Sequence, residues 1–206
     1  MESGRTDEKG QRIVDAAISV FSEAGFSNAT MQDVASRAGV GKGTIYLYFS
    51  SKEDLLEKML LSVLEEFLCE LREVAARPGD SRTRLRRLFA HVLGEADSNR
   101  EKVNLLLQGP IDIGGALKRK LLTLKGEIMD IISSLLEDGI ATGEIQPVNV
   151  QVMTHLISGG MDSLAAARLW EYEELVAKAR GQDWPKELAQ RVVDCLWSGM
   201  KGAGEG

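Results

Sequence analysis

Apolar residues return every third or fourth position through nearly the whole of this chain, and no alternating apolar–polar run lasts beyond a few residues. That spacing belongs to the α-helix, whose 3.6 residues per turn bring i, i+3, i+4 and i+7 onto one face. The chain is therefore expected to be all-α. Start and stop signals cut the pattern into about nine helices. Gly25, Gly39, the pair Pro78 and Gly79, the pair Gly109 and Pro110, and Gly143 with Pro147 are the breaks. The expected spans are 8–24, 30–38, 42–49, 51–77, 81–97, 100–107, 117–142, 149–172 and 184–200, with 202–206 a loose tail. Two starts carry capping boxes, Thr30 with Asp33 and Ser51 with Asp54, in which a hydroxyl and a carboxylate exchange backbone N–H groups. Asp183 and Pro185 suit the cap and first turn of the last helix.

With 206 residues the chain can bury a core without disulfides or metals. Its longest apolar stretch, 55–71, is broken by Glu57, Lys58, Glu65, Glu66 and Glu70, so no membrane span is expected. The polar, mixed-charge start is no signal peptide, and the expected location is cytoplasmic. Cys69 and Cys195 stand in separate apolar-periodic stretches and read as free, buried thiols. His91 and His155 have no histidine or cysteine neighbours at ligand spacing, so no metal is expected. Neither a cofactor fingerprint nor a catalytic motif occurs, and an enzyme is not expected.

Charge distribution points elsewhere. The net charge is −6, yet residues 1–52 hold equal numbers of acids and bases. Between Val34 and Lys52 there is no carboxylate, while Arg37, Lys42 and Lys52 are present, a window that could face phosphates. Within it, two short helices joined at Gly39 have the form of a helix-turn-helix, whose second helix enters the major groove of DNA. Ile45 and Phe49, one turn apart, would pin that second helix inward. Lys42, Gly43 and Tyr46 would then face out, offering a cation, a close backbone approach and a phenol to phosphates and base edges. Gly43 costs about 1 kcal/mol against alanine inside a helix, which calls for a reason. On these residues alone Tyr46 and Tyr48 also fit half-buried core positions, Lys42 and Lys52 fit solvated charges, and Thr30 fits a helix cap and nothing more.

The stretch TMQDVASRAGVGKGTIYLYFSSKEDL, residues 30–55, resembles the signature of the tetracycline-repressor (TetR) family, and Ala17, Phe21, Gly25 and Phe26 match that family's first helix. The resemblance in motif covers about the first quarter of the chain; the remainder is similar in length, helix count and order. It implies a DNA-binding domain at 1–50, with its motif at about 30–49, and an effector-binding and dimerisation domain at 51–206. It implies that Thr30 caps the second helix and touches phosphate, and that Lys42, Gly43 and Thr44 lead the recognition helix. Tyr46 and Tyr48 would set hydroxyls on phosphates, and Lys52 would add a phosphate contact. Gly41 and Tyr48 depart from the commoner serine and histidine.

The resemblance further implies a homodimer paired through the last two long helices, binding double-stranded operator DNA and answering to a small-molecule effector. Ser158, Gly159 and Gly160, then Ala165, Ala166 and Ala167, supply small residues along which another helix can approach. Packing within one chain would use the same face. His91, Asn104, Gln108, His155 and Asp162 are polar residues near apolar stripes of the body, and none singles itself out as a ligand contact. The abundance of leucine, isoleucine, methionine and valine there suits a hydrophobic or amphipathic effector. The expected function is a ligand-responsive repressor, with a DNA-binding regulator lacking a small effector as the alternative.

Overall fold

The computed structural model describes residues 2–99, 115–169 and 183–200. Among these the chain forms eight helices and no strand: α1 (Glu2–Ala24), α2 (Met31–Ala38), α3 (Lys42–Tyr48), α4 (Lys52–Ala76), α5 (Ser81–Ser98), α6 (Gly115–Ala141), α7 (Val150–Leu169) and α8 (Trp184–Met200). The short helix expected at 100–107 lies outside the described residues. Helix α1 begins at Glu2 and not near residue 8.

Two compact units divide the chain, the boundaries falling within α4 between Glu65 and Glu66 and within α6 between Leu121 and Leu122. The first unit holds α1 to α3 and the leading part of α4. Its core is Ile13, Ala17, Phe21, Val34, Ile45 and Leu55, all at most 1% exposed. Fully burying one such side chain contributes about 1.5–3 kcal/mol, enough to fix two helices too short to stand alone.

Local chemistry sets the helix ends here. Both bonds of the Thr30 capping box form: the Asp33 N–H donates to Thr30 Oγ1 at 3.2 Å, and the Thr30 N–H donates to Asp33 Oδ2 at 3.0 Å. A cap of this kind contributes about 1 kcal/mol. Gly39 closes α2 at φ 65°, a left-handed conformation that glycine takes without penalty. At α4 the Asp54 N–H donates to Ser51 Oγ at 3.0 Å, but the Asp54 carboxylate reaches one residue further back than expected, accepting from the Ser50 N–H at 2.8 Å.

The second unit packs α5 against both α7 and α8. Leu85, Leu88 and Phe89 of α5 meet Ile132 and Leu136 of α6, Met161 of α7, and Val193 and Trp197 of α8 in one continuous core. At its rim, Arg82 and Arg86 of α5 both donate to Asp194 of α8, and Trp184 Nε1 donates to Asp97 Oδ2 at 3.1 Å. The expectation of buried thiols is corrected: Cys69 and Cys195 are both exposed. Leu68 and Leu71 point inward beside Cys69, and Val193 and Trp197 flank Cys195, so each cysteine lies off the apolar seam of its own helix.

Candidate nucleic-acid interface

Helices α2 and α3, joined through Gly39 and Val40, have helix-turn-helix form, and α3 is sharply two-faced. Ile45 is wholly buried and Phe49, its C-cap, is 6% exposed, while Lys42, Gly43 and Tyr46 face solvent. Thr44 is half-buried. A Cβ added at Gly43 would meet nothing within 4 Å among the described residues, so their packing gives no reason for glycine there. Tyr48 is half-buried because its ring lies over Gly10 of α1, where a Cβ would stand 3.6 Å from Cδ1. Gly10 thereby seats the ring against the first helix.

The basic residues sort into two groups. Arg37 grips Glu23 of α1 with two hydrogen bonds of 2.8 and 2.6 Å, and the guanidinium holds the Glu23 carboxyl below its ordinary range. Arg12 Nη2 donates to the Ala38 carbonyl at 2.7 Å, closing the end of α2 beside Gly39. These two cations hold the motif together. Lys42, by contrast, is exposed and has no hydrogen bond or ion pair with another described residue. Thr30 is exposed at the start of α2. Its hydroxyl donates to Asp33 Oδ2 at 2.6 Å, and together with the Thr30 N–H it keeps the Asp33 carboxyl below the usual range.

Lys52, expected at a phosphate, is engaged within the chain. The ammonium donates to the carbonyls of Phe26 at 2.6 Å, Ser27 at 3.2 Å and Ala29 at 2.9 Å. It also sits 4.6 Å from the centre of the Phe26 ring. An ammonium has three N–H bonds, and here each meets a carbonyl. Lys52 thus clamps the loop between α1 and α2 to the start of α4.

One outward residue escaped the sequence reading. Leu47 is 84% exposed on α3, flanked by Tyr46 at 47%. A leucine two residues past the inward Ile45 must point away from the core, and that offset was the available signal. An apolar side chain on a groove-facing helix can pack on a thymine methyl group.

In the second unit, His155 is exposed with Nδ1 on the Gln151 carbonyl at 2.8 Å, and Asp162 pairs with Lys125. Asn104 and Gln108 lie outside the described residues. His91 is different: it stacks on Phe67 at 5.3 Å and borders a cavity of about 600 Å³ whose wall includes Glu70, Arg77, Arg87, Ala90, Gly94 and Pro185.

Comparison with known proteins follows this division of the chain. Residues 13–59, which contain the helix-turn-helix, match the bacterial regulatory proteins of the tetR family. The fatty acid metabolism regulator protein of Bacillus subtilis is 28% identical across 93% of this chain and 95% of its own length. A regulator of the TetR/AcrR family from Thermobifida fusca is 26% identical, with a TM-score of 0.72 over 95% of this chain and 99% of its own. The regulator FadR from Bacillus subtilis, solved in complex with stearoyl-CoA, shares the fold at 24% identity and a TM-score of 0.67, over 92% of this chain and 98% of its own.

Proposed function

The chain belongs to the tetR family of bacterial regulatory proteins, and from that premise we propose a repressor that binds operator DNA as a homodimer and lets go on taking up a fatty acyl-CoA. It is a DNA-binding transcriptional regulator and not an enzyme. The observation that carries the DNA half of the proposal is the outward face of α3, where Lys42, Gly43, Tyr46 and Leu47 stand clear of a helix anchored by Ile45 and Phe49. In this reading Lys42 meets phosphate, Gly43 and Thr44 admit the base edges, Tyr46 and Tyr48 direct hydroxyls at the backbone, and Thr30 adds a contact from the start of α2. Lys52 holds the loop that orients them.

The dimer half rests on α7. Val152 and Leu156 are 54% and 62% exposed, and Gly159, Gly160 and Ser163 continue the same helical face in the open. An apolar stripe followed by small residues suits close approach of a second copy. Two copies would also read two half-sites, which one seven-residue recognition helix cannot do.

The effector half rests on a relative's name and a neighbour's bound ligand: a fatty acid metabolism regulator and a stearoyl-CoA complex. An acyl-CoA is amphipathic, as the body's composition suggests. Thermal unfolding tests this directly. Stearoyl-CoA at about a hundred times its dissociation constant should stabilise the protein by about 2.7 kcal/mol, and free coenzyme A should not. Equal melting curves with and without long-chain acyl-CoA would refute the effector assignment.

A separate outcome concerns Leu47. Because that side chain is 84% exposed, Leu47→Ser should leave stability within about 0.5 kcal/mol of the original. Operator preference should nonetheless change, with a loss of about 1 kcal/mol at a thymine and little elsewhere. Competition binding with single-base operator variants measures it, and an unchanged preference would remove Leu47 from the interface.

A further inference from the structure

We propose that Glu70, His91 and Glu95 form a binding site for a divalent transition-metal ion of the zinc class, tying the second half of α4 to α5. His91 and Glu95 are four residues apart on α5 and so share a face, and Glu70 comes from α4. One ligand atom from each residue lies within 4.8 Å of the other two.

The histidine is what separates this group from an ordinary acidic patch. Its side chain is 13% exposed, and its Nε2 lies 4.0 Å from Glu70 Oε2, too far for a hydrogen bond. That nitrogen is shielded from solvent and has no hydrogen-bond partner among the described residues. A shielded ring nitrogen beside Glu70 and without such a bond is placed to serve as a metal ligand.

The surroundings hold the set in place. Phe67 stacks on the imidazole at 5.3 Å with only 10° between the planes, fixing the ring's direction. Asn99 Nδ2 donates to Glu95 Oε2 at 2.7 Å, which orients that carboxylate and leaves its other oxygen available. Around zinc, ligand distances of about 2.0–2.2 Å place tetrahedral donors about 3.4 Å apart, so rotamer shifts of about 1 Å in two glutamates would close the site.

Imidazole favours zinc, cobalt or nickel over magnesium and calcium, which take oxygen ligands in larger number. Three protein ligands leave a coordination position toward the adjoining cavity, where water can complete the shell. Arg77 and Arg87 also line that cavity, as do Glu73 and Asp183. Lys186 lines it too and pairs with Asp183 at 2.9 Å, so the cations do not outnumber the acids Glu70, Glu73 and Asp183.

The test uses the full-length chain carrying C69S and C195S, substitutions at exposed positions that remove both thiols. After chelator treatment it is titrated with Co²⁺, followed by visible absorption, and then with Zn²⁺ in competition. One cobalt per chain, displaced by zinc at micromolar concentration, is expected. His91→Ala should abolish binding, and Glu95→Gln and Glu70→Gln should each weaken it at least tenfold, while His155→Ala, altering the exposed histidine of α7, should not. Glu70 is exposed, so E70Q keeps the fold and decides the matter even if the His91 variant does not fold. Absence of binding at tens of micromolar metal, or E70Q and E95Q proteins that bind like the parent, would overturn the proposal.

Discussion

Lys52→Ala is expected to lower the stability of the helix-turn-helix unit by about 2–4 kcal/mol while leaving the salt dependence of DNA binding unchanged for the molecules that remain folded. Removing the ammonium strips the Phe26, Ser27 and Ala29 carbonyls of their shared donor. A buried carbonyl left unpaired costs about 1–3 kcal/mol, and the loop around Ser27 is open enough for water to replace part of the loss. Lys52→Arg should rescue poorly, since a planar fork cannot aim its N–H bonds at three converging oxygens. The contrast is Lys42→Ala. Lys42 is exposed and unbonded among the described residues, so its loss should change stability by no more than about 0.5 kcal/mol. Two copies in a dimer would surrender two phosphates, flattening the slope of log affinity against log salt by about two. Denaturant unfolding and binding at several salt concentrations, run on both variants, separate the roles. If Lys52→Ala proved stable and flattened the slope, Lys52 would be a phosphate contact after all.

Gly160→Leu is expected to convert the proposed dimer to monomers. A Cβ at Gly159 or Gly160 would find nothing within 4 Å among the described residues, so the substitution starts with no clash against them. Within the monomer it should even favour α7, because leucine is a better helix former than glycine by about 1 kcal/mol. The harm expected comes from a second molecule lying on that face. Overpacking a close helix contact costs about 1–3 kcal/mol, and the two-fold axis applies it twice, weakening the dimer roughly 30-fold or more. Light scattering at micromolar concentration should report the original chain at twice the variant's mass, with operator binding lost alongside. A G160L chain as dimeric as its parent would move the interface elsewhere.

What was legible in the sequence is what short-range chemistry determines. The Thr30 and Asp33 box, the Gly39 stop and the inward pair Ile45 and Phe49 each involve residues at most four apart, and each stands as expected. The outward placing of Lys42, Gly43 and Tyr46 followed from the same spacing. The clamp made by Lys52 was not legible because its partners lie 23 to 26 residues earlier, and only the folded loop brings three carbonyls to one point. Leu47 was passed over, and Cys69 and Cys195 were misjudged, for a related reason. An apolar period identifies a face about 100° wide, and an apolar residue one or two places off that face falls outside it. The group around His91 stayed hidden because its ligands belong to two helices, although the four-residue spacing of His91 and Glu95 was there to be read.

The central claim joins DNA release to acyl-CoA uptake, and the direct measurement is fluorescence anisotropy of a labelled duplex taken from upstream of the protein's own gene. At fixed salt the dimer should bind that duplex far more tightly than a scrambled one. Adding stearoyl-CoA should then weaken binding by about 5- to 150-fold, the usual range for coupling of 1–3 kcal/mol, and by reciprocity the duplex should weaken acyl-CoA binding by the same factor. A protein that binds stearoyl-CoA yet holds the duplex with unchanged affinity, or that never distinguishes the duplex from its scrambled form, would contradict the account.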